Sequence, residues 1–147
     1  MRASSFFDGV SQVELGTDEN SMLAPLFYYD GEAMVGIFPA RLSALKKLMP
    51  DARMRPARLA PGIGAVTVAC FEYRDTDITD YNELAIAIPL NEPYYRPNLP
   101  GRALASALRR DQFDVLVHHL PVTTERARTG GRTWYNYPKF VAGIDFE

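Results

Sequence analysis

A lysine among aromatic residues near the C-terminus is the side chain in this sequence best suited to covalent chemistry. The segment reads Trp134-Tyr135-Asn136-Tyr137-Pro138-Lys139-Phe140. Burial among apolar groups disfavours the charged form of an amine, and a neutral amine can attack a carbonyl carbon and form a Schiff base. The alternative is a surface lysine that follows a turn proline and lays its stem along the rings. The segment by itself leaves both interpretations open.

Glu83 is the second candidate for chemistry, since a desolvated carboxyl group close to a reacting amine can donate or accept a proton. It lies in an apolar run that we interpret as a strand, where alternate side chains point to opposite faces. Glu83 shares its face with Ala85 and Ala87, small residues that could line a cavity. The alternative is a glutamate on the solvent face of that strand.

Three arginines precede the lysine, and two of them, Arg126 and Arg132, are candidates for binding the anionic group of a substrate. The alternative is a solvated helix face on which Glu125 makes a local ion pair, an arrangement of little energetic consequence.

Composition narrows the classes of function. The chain has 147 residues, 47% of them hydrophobic, with a formal net charge of -2 and without a run of basic residues. It therefore suits one globular domain, and it lacks the basic patch that binding to a nucleic acid requires. We find no apolar run of about eighteen residues that could cross a membrane. Cys70 is the single cysteine, so we expect a cytoplasmic protein without an internal disulfide.

A metal site is not expected either. His118 and His119 are adjacent, so on a strand their side chains would point to opposite faces, and no Cys/His set has the spacing of a zinc site.

The elements that must position these groups are mostly strands. We interpret residues 1–25 as an N-terminal arm and residues 26–147 as the folded domain. Within that domain we expect strands on both sides of an Asp30-Gly31 turn, then a short amphipathic helix that Pro50 ends. Further strands are predicted over the apolar runs 64–73, 81–88 and 113–120, the last ending at Pro121, with one helical turn within 99–110.

The segment around the lysine is predicted to be a helix followed by a strand. A threonine can cap a helix over 123–130, Gly130 suits a left-handed helix end, and residues 140–146 alternate as a strand does. Five or six strands against two or three short helices indicate an α+β, mostly β fold: an antiparallel sheet or barrel with helices at its edge.

The order of these features resembles the acetoacetate decarboxylase family. The resemblance covers residues 26–147 and rests on the helix before Pro50, the β run that follows it, and three motifs: Tyr81-Asn82-Glu83, Leu120-Pro121-Val122-Thr123-Thr124 and Tyr137-Pro138-Lys139. It implies an antiparallel, cone-like β-barrel with a central pocket. It also implies that Lys139 is the Schiff-base lysine and that Glu83 is a pocket glutamate.

Three positions depart from the pattern of true decarboxylases. The second lysine of those enzymes corresponds to Phe140, a pocket arginine to Gly31, and a second pocket glutamate to Val68. Because these replacements remove charge, the handling of a substrate carboxylate is in doubt.

The resemblance implies a lyase that acts on a small keto acid or related carbonyl compound, by decarboxylation or by aldol or dehydration chemistry through the same iminium. The residues expected around the substrate are Trp134, Tyr137, Phe140, Arg126 and Arg132, and neither a metal nor an organic cofactor is required. The alternative is a non-catalytic protein that binds a small molecule on the same barrel. Since family chains continue past the position of Glu147, we expect the chain to associate with itself or with a missing C-terminal segment.

Overall fold

The computed structural model describes residues 5–16, 21–91, 97–110, 112 and 114–146, and these form a mostly β, α+β structure. A 3-10 helix, Ser5–Phe7, precedes the strands. The strands are β1 (Val13–Leu15), β2 (Met22–Ala24), β3 (Tyr28–Arg41), β4 (Arg58–Ala60), β5 (Ile63–Thr76), β6 (Tyr81–Pro89), β7 (Val115–Val122) and β8 (Lys139–Val141). The helices are α1 (Leu42–Lys47), α2 (Arg102–Arg110) and α3 (Glu125–Tyr135).

Two sheets are formed. The small one pairs β1 with β2 in antiparallel register, with Glu14 opposite Leu23. The large one has the order β3-β5-β6-β7-β8, and β4 pairs with β5 outside that order. The pair β7–β8 is parallel and sets Leu120 opposite Lys139. The mostly β prediction is therefore confirmed. The barrel stays a prediction, because among the described strands β3 and β8 stand at the two ends of the sheet and are not paired with each other.

The chain forms two compact units. The first comprises Met1–Met34, Cys70–Leu84 and His119–Glu147, and the second comprises Val35–Ala69 and Ala85–His118. Tyr81, Val122 and Ala127 form the core of the first unit, where Tyr73 and Ile78 pack against them. In the second unit Leu42 and Leu45 of α1 are buried, and Ala57 donates its backbone N–H to the carbonyl of Pro89.

The predicted turn at Asp30-Gly31 is wrong, since β3 runs without interruption through both residues. An added Cβ on Gly31 would lie 2.8 Å from the carbonyl oxygen of Glu72, so the glycine allows the close approach of the neighbouring strand. Asp30 accepts hydrogen bonds from Arg74 on that strand. Both residues that suggested a turn thus serve the pairing of β3 with β5.

Other predicted boundaries are also wrong. The strand predicted over 140–146 is shorter, since β8 covers only Lys139–Val141. Strand β7 does not stop at Pro121 but includes it, next to the short last strand, β8. Helix α3 does not stop at Gly130 but continues to Tyr135, and Asn136 takes the left-handed conformation at its end, with φ of 53°. The predicted strands over 64–73 and 81–88, the helix before Pro50 and the threonine cap of α3 are confirmed.

The predicted N-terminal arm is only partly described, since residues 1–4 and 17–20 lie outside the described residues. Its described part belongs to the first unit and packs against other residues of that unit. The ring of Phe7 stacks on that of Phe27 at 4.1 Å, and Gln12 donates to the carboxylate of Asp77 at 2.6 Å.

Candidate active site

The start of β8 fixes the backbone of Lys139. Thr124 caps α3 by accepting a hydrogen bond from the backbone N–H of Ala127 at 3.3 Å, and the helix ends eleven residues later. The left-handed Asn136 then turns the chain, and the N–H of Tyr137 bonds back to the carbonyl of Gly131 at 3.0 Å. The helix end and the parallel pairing with β7 together hold Lys139 in one register.

The backbone next to Glu83 on β6 is joined to the end of β7 by two hydrogen bonds. The N–H of Asn82 donates to the hydroxyl of Thr123 at 2.9 Å, and the N–H of Thr123 donates to the carbonyl of Asn82 at 3.0 Å. This reciprocal pair joins the start of β6 to the end of β7. Since Lys139 pairs with β7 and Glu83 follows Asn82 on β6, the two candidate side chains are positioned by one continuous hydrogen-bonded framework.

Lys139 and Glu83 form a buried ion pair. The Nζ of Lys139 donates to Oε2 of Glu83 at 2.6 Å, and the two side chains are only 8% and 11% exposed. Taking two charges out of water is expensive and breaks even only with good geometry, so such a pair is weak evidence of a stabilising role. Transfer of the proton across this short bond yields an uncharged amine and an uncharged acid without moving a heavy atom.

The stem of Lys139 lies against α3 at a position that has no room for a side chain. A Cβ added to Gly131 would overlap the stem, at 2.6 Å from Cε. Gly131 is one of the two buried residues of the helix, together with Ala127. The glycine therefore opens the space through which the amine reaches Glu83.

Tyrosines surround the amine. The Nζ of Lys139 lies 5.5 Å from the centre of the Tyr81 ring, within cation–π range. The hydroxyl of Tyr81 is hydrogen-bonded to that of Tyr28 at 3.1 Å. Burial raises the pKa of Tyr81, Tyr73 and Tyr28 above the usual value for tyrosine, so all three stay uncharged hydrogen-bonding groups at neutral pH.

A cavity of about 270 Å³ opens onto the amine within the first unit. Its wall combines apolar residues, tyrosines and glycines, and it includes Lys139, Tyr28, Tyr81, Tyr135, Tyr137 and Gly131. The rings of Tyr135 and Tyr137 stack at 5.8 Å. This volume is at or just below the low end of small-molecule sites, about 300 Å³, so the cavity suits a small ligand.

The predicted substrate residues lie in different places. Tyr137 lines the cavity with Lys139, whereas Trp134, Phe140 and Arg132 are not among its lining residues and are exposed. Phe140 faces His119 instead, with ring centres 6.4 Å apart.

Arg126 lines a neighbouring cavity of about 300 Å³. Both cavities include Met22, Ile78 and Gly130 in their walls. In the same part of α3, Glu125 pairs with Arg128 at 2.7 Å.

Two contributors to the site escaped the sequence reasoning. Tyr81 lies two residues before Glu83 on the same strand face, so the alternation that described Glu83 could have found it. Gly131 gave no comparable signal, because its contact with Lys139 depends on how the helix end folds back.

The fold and the site agree with a comparison against protein-family models. The model described as acetoacetate decarboxylase (ADC) matches residues 14–147, which is nearly the whole chain. The chain therefore belongs to the acetoacetate decarboxylase family. Neither the curated proteins nor the solved structures give a significant match.

The described part of the chain contains no helix that is both long enough and apolar enough to cross a bilayer.

Proposed function

We propose that this protein is a Schiff-base-forming lyase that acts on a small keto acid or a related carbonyl compound. The observation that carries the proposal is the buried hydrogen bond of 2.6 Å between Lys139 and Glu83 at the wall of a small cavity. It combines an amine, a proton acceptor for that amine and room for a carbonyl compound. Membership of the acetoacetate decarboxylase family supports the same reaction class.

In the proposed reaction Glu83 takes the proton of the Lys139 ammonium, and the amine then attacks the carbonyl carbon of the substrate. Glu83 returns that proton to the hydroxyl of the carbinolamine, which leaves as water and gives an iminium ion. Electrons of the neighbouring carbon–carbon bond move into the iminium, which releases carbon dioxide or an aldehyde and leaves an enamine. The Glu83 carboxylate takes a proton from solvent, or from the substrate hydroxyl when an aldehyde leaves, and passes it to the enamine. Water then hydrolyses the restored iminium to the product and the Lys139 ammonium.

The cavity wall suggests what the substrate is. Its described lining is apolar and aromatic except for Lys139, whose charge is offset by Glu83. An unpaired carboxylate buried there would be costly. We therefore propose either a carbonyl compound without a carboxylate, or a keto acid long enough for its carboxylate to approach Arg126 in the neighbouring cavity.

The sheet order is compatible with the cone-like barrel of the family, and we propose that architecture for the complete fold. A non-catalytic binding protein is the second candidate. The hydrogen bond from the Lys139 amine to Glu83 favours this candidate, because the bond would remain intact in a protein that binds its ligand without forming a Schiff base. The family also contains non-catalytic members.

Turnover of a panel of carbonyl compounds tests the proposal. Acetoacetate, longer keto acids and neutral ketones are incubated with the protein, with Lys139→Ala and with Lys46→Ala, a control on the exposed face of α1. We expect turnover of at least one compound that only Lys139→Ala abolishes. We also expect weak or no release of carbon dioxide from acetoacetate, because Gly31, Val68 and Phe140 supply no charge. Turnover of acetoacetate at about 1 to 1,000 per second would contradict the specificity argument.

A further inference from the structure

Four tyrosines line the same cavity as Lys139. They are Tyr28, Tyr81, Tyr135 and Tyr137, and all of them belong to the first unit. Tyr81 is buried, whereas the other three are 39% to 47% exposed. Exposed aromatic side chains that gather at one cavity are typical of a binding site, because each ring offers apolar surface that a ligand can cover.

The tyrosine rings are held by one another. Tyr73, a further ring outside the described lining, lies 4.6 Å from Tyr28 and 4.8 Å from Tyr81, measured between ring centres. Tyr135 and Tyr137 stack with an interplanar angle of 14°. Because these contacts fix the rings before a ligand arrives, covering them costs little side-chain entropy.

The size of the cavity and its amine narrow the choice of ligand. The volume is about 270 Å³. An apolar cavity of about 150 Å³ is enough to hold benzene, so a single aromatic ring fits. The Lys139 ammonium already lies 5.5 Å from the centre of the Tyr81 ring, and it repels a second cation of the kind that aromatic cages hold. These observations favour an uncharged ring.

We propose that the carbonyl compound bound at this site carries an aromatic ring, which packs against Tyr135, Tyr137 and Tyr28 while the carbonyl group lies at Lys139. The assignment of the carbonyl group rests on the proposed lyase function. The ring site follows from the cavity wall and takes its ligand without a covalent step.

Two alcohols that cannot form a Schiff base test the ring site separately from the chemistry. Benzyl alcohol and cyclohexylmethanol differ only in the ring, and ligand-observed NMR titration gives their dissociation constants. We expect benzyl alcohol to bind about two- to tenfold more tightly, as for one aromatic contact. Because the saturated ring has the larger apolar surface, burial alone predicts the opposite order. Equal binding, or tighter binding of cyclohexylmethanol, would overturn the proposal.

Matched variants locate the ring. Tyr135→Leu and Tyr137→Leu each replace an exposed aromatic side chain by an apolar one, and they should bring the ratio of the two dissociation constants towards one. Tyr135→Phe should keep the ratio. The control is Trp134→Leu, since Trp134 is also an exposed aromatic residue of α3 but is not among the described lining residues. A ratio that survives in both leucine variants of tyrosine, or that is lost in Trp134→Leu, would contradict the assignment.

The corresponding ketones separate this inference from the proposed function. Benzylacetone and its cyclohexyl analogue have carbonyl groups of similar intrinsic reactivity, because saturated carbons separate the ring from the carbonyl. With borohydride present, modification of Lys139 at a lower concentration of benzylacetone supports both proposals. Modification of Lys139 by the two ketones at equal concentrations leaves the lyase proposal standing and overturns the aromatic substrate. Preference for benzyl alcohol without any modification of Lys139 supports the ring site and contradicts the Schiff-base chemistry.

Discussion

Two clusters of charge in the first unit differ in the way they are paired and in their contact with water. Arg74 lies among three carboxylates, those of Asp30, Glu32 and Glu72, and all four side chains are at least 39% exposed. Lys139 has one partner, Glu83, and both are almost fully buried. The first cluster raises the pKa of its arginine and lowers that of Asp30 by hydrogen bonding, yet its charges remain solvated.

The difference supports the buried pair, rather than the exposed cluster, as the site of the proposed function. Exposed ion pairs contribute little to stability but cost little to form, so the Arg74 cluster needs no explanation beyond joining β3 to β5. A buried pair must overcome the loss of hydration of both ions, and an apolar pair would often be at least as stable. We therefore propose that the Lys139–Glu83 pair is kept for the chemistry of the proposed lyase rather than for stability.

Breaking the buried pair on one side should have the largest effect on stability. In Glu83→Leu the ammonium of Lys139 loses its anionic partner, and we expect the free energy of unfolding to fall by about 3 to 5 kcal/mol. The double variant Lys139→Met with Glu83→Leu should recover most of that loss while remaining inactive. Urea denaturation measures both, and a double variant less stable than Glu83→Leu would show that the pair stabilises the fold.

Replacing the carboxyl of Glu83 by an amide tests its role in proton transfer. Glu83→Gln keeps the shape and a hydrogen-bond acceptor for Lys139 but can no longer take its proton. Turnover of the best compound in the panel should fall by about a hundredfold or more. Glu32→Gln, in the exposed cluster, is the control and should turn over normally. Unchanged kinetics in a folded Glu83→Gln protein would remove Glu83 from the mechanism.

A methyl group on α3 should displace the nucleophile. Gly131→Ala places a Cβ against the stem of Lys139, and a shift of the amine by about 1 Å can reduce turnover by up to about a hundredfold. Gly130→Ala is the matched comparison: Gly130 also lines the cavity, but its Cβ would meet only the end of the Met22 side chain, at 3.4 and 3.8 Å, and not Lys139. Since alanine favours helix over glycine, that variant should be as stable as the original chain or more so. Equal activity of the two variants would show that Gly131 does not position Lys139.

The smallest effect is expected in the exposed cluster. Arg74→Gln removes the shared cation of three carboxylates, yet water and salt already screen those charges. Thermal unfolding at ordinary salt concentrations should have the same midpoint as in the original chain, with turnover unaltered. A loss of activity in Arg74→Gln would mean that the exposed Arg74 cluster is coupled to the buried Lys139–Glu83 pair.

The sequence predicted the strands with a clear apolar pattern and failed where local signals compete with the sheet. The dense apolar and β-branched residues of 64–73 and 81–88 identified β5 and β6, and the residues buried there include Ala65, Ala69 and Ile88. The pair Asp30-Gly31 suggested a turn, but the sheet uses the same residues for an ion pair and a close approach between strands. Gly130 suggested a helix end, but burial of Gly131 against Lys139 extends α3 beyond it.

The candidate site was predicted from the sequence in part. Tyr137-Pro138-Lys139 and Tyr81-Asn82-Glu83 directed attention to two side chains that the fold brings to 2.6 Å from each other. The aromatic residues around the lysine were less predictable, because their direction depends on the turn after α3. Tyr137 lines the cavity, whereas Trp134 and Phe140 of the same segment do not.

Covalent trapping of the proposed iminium is the most direct test of the central claim. The protein is incubated with a compound of the panel and with borohydride, which reduces an iminium to a stable amine, and the added mass is mapped by peptide analysis. We expect one addition per chain, at Lys139, and none in Lys139→Ala. Additions spread over exposed lysines such as Lys46 and Lys47, with Lys139 unmodified, would contradict the account.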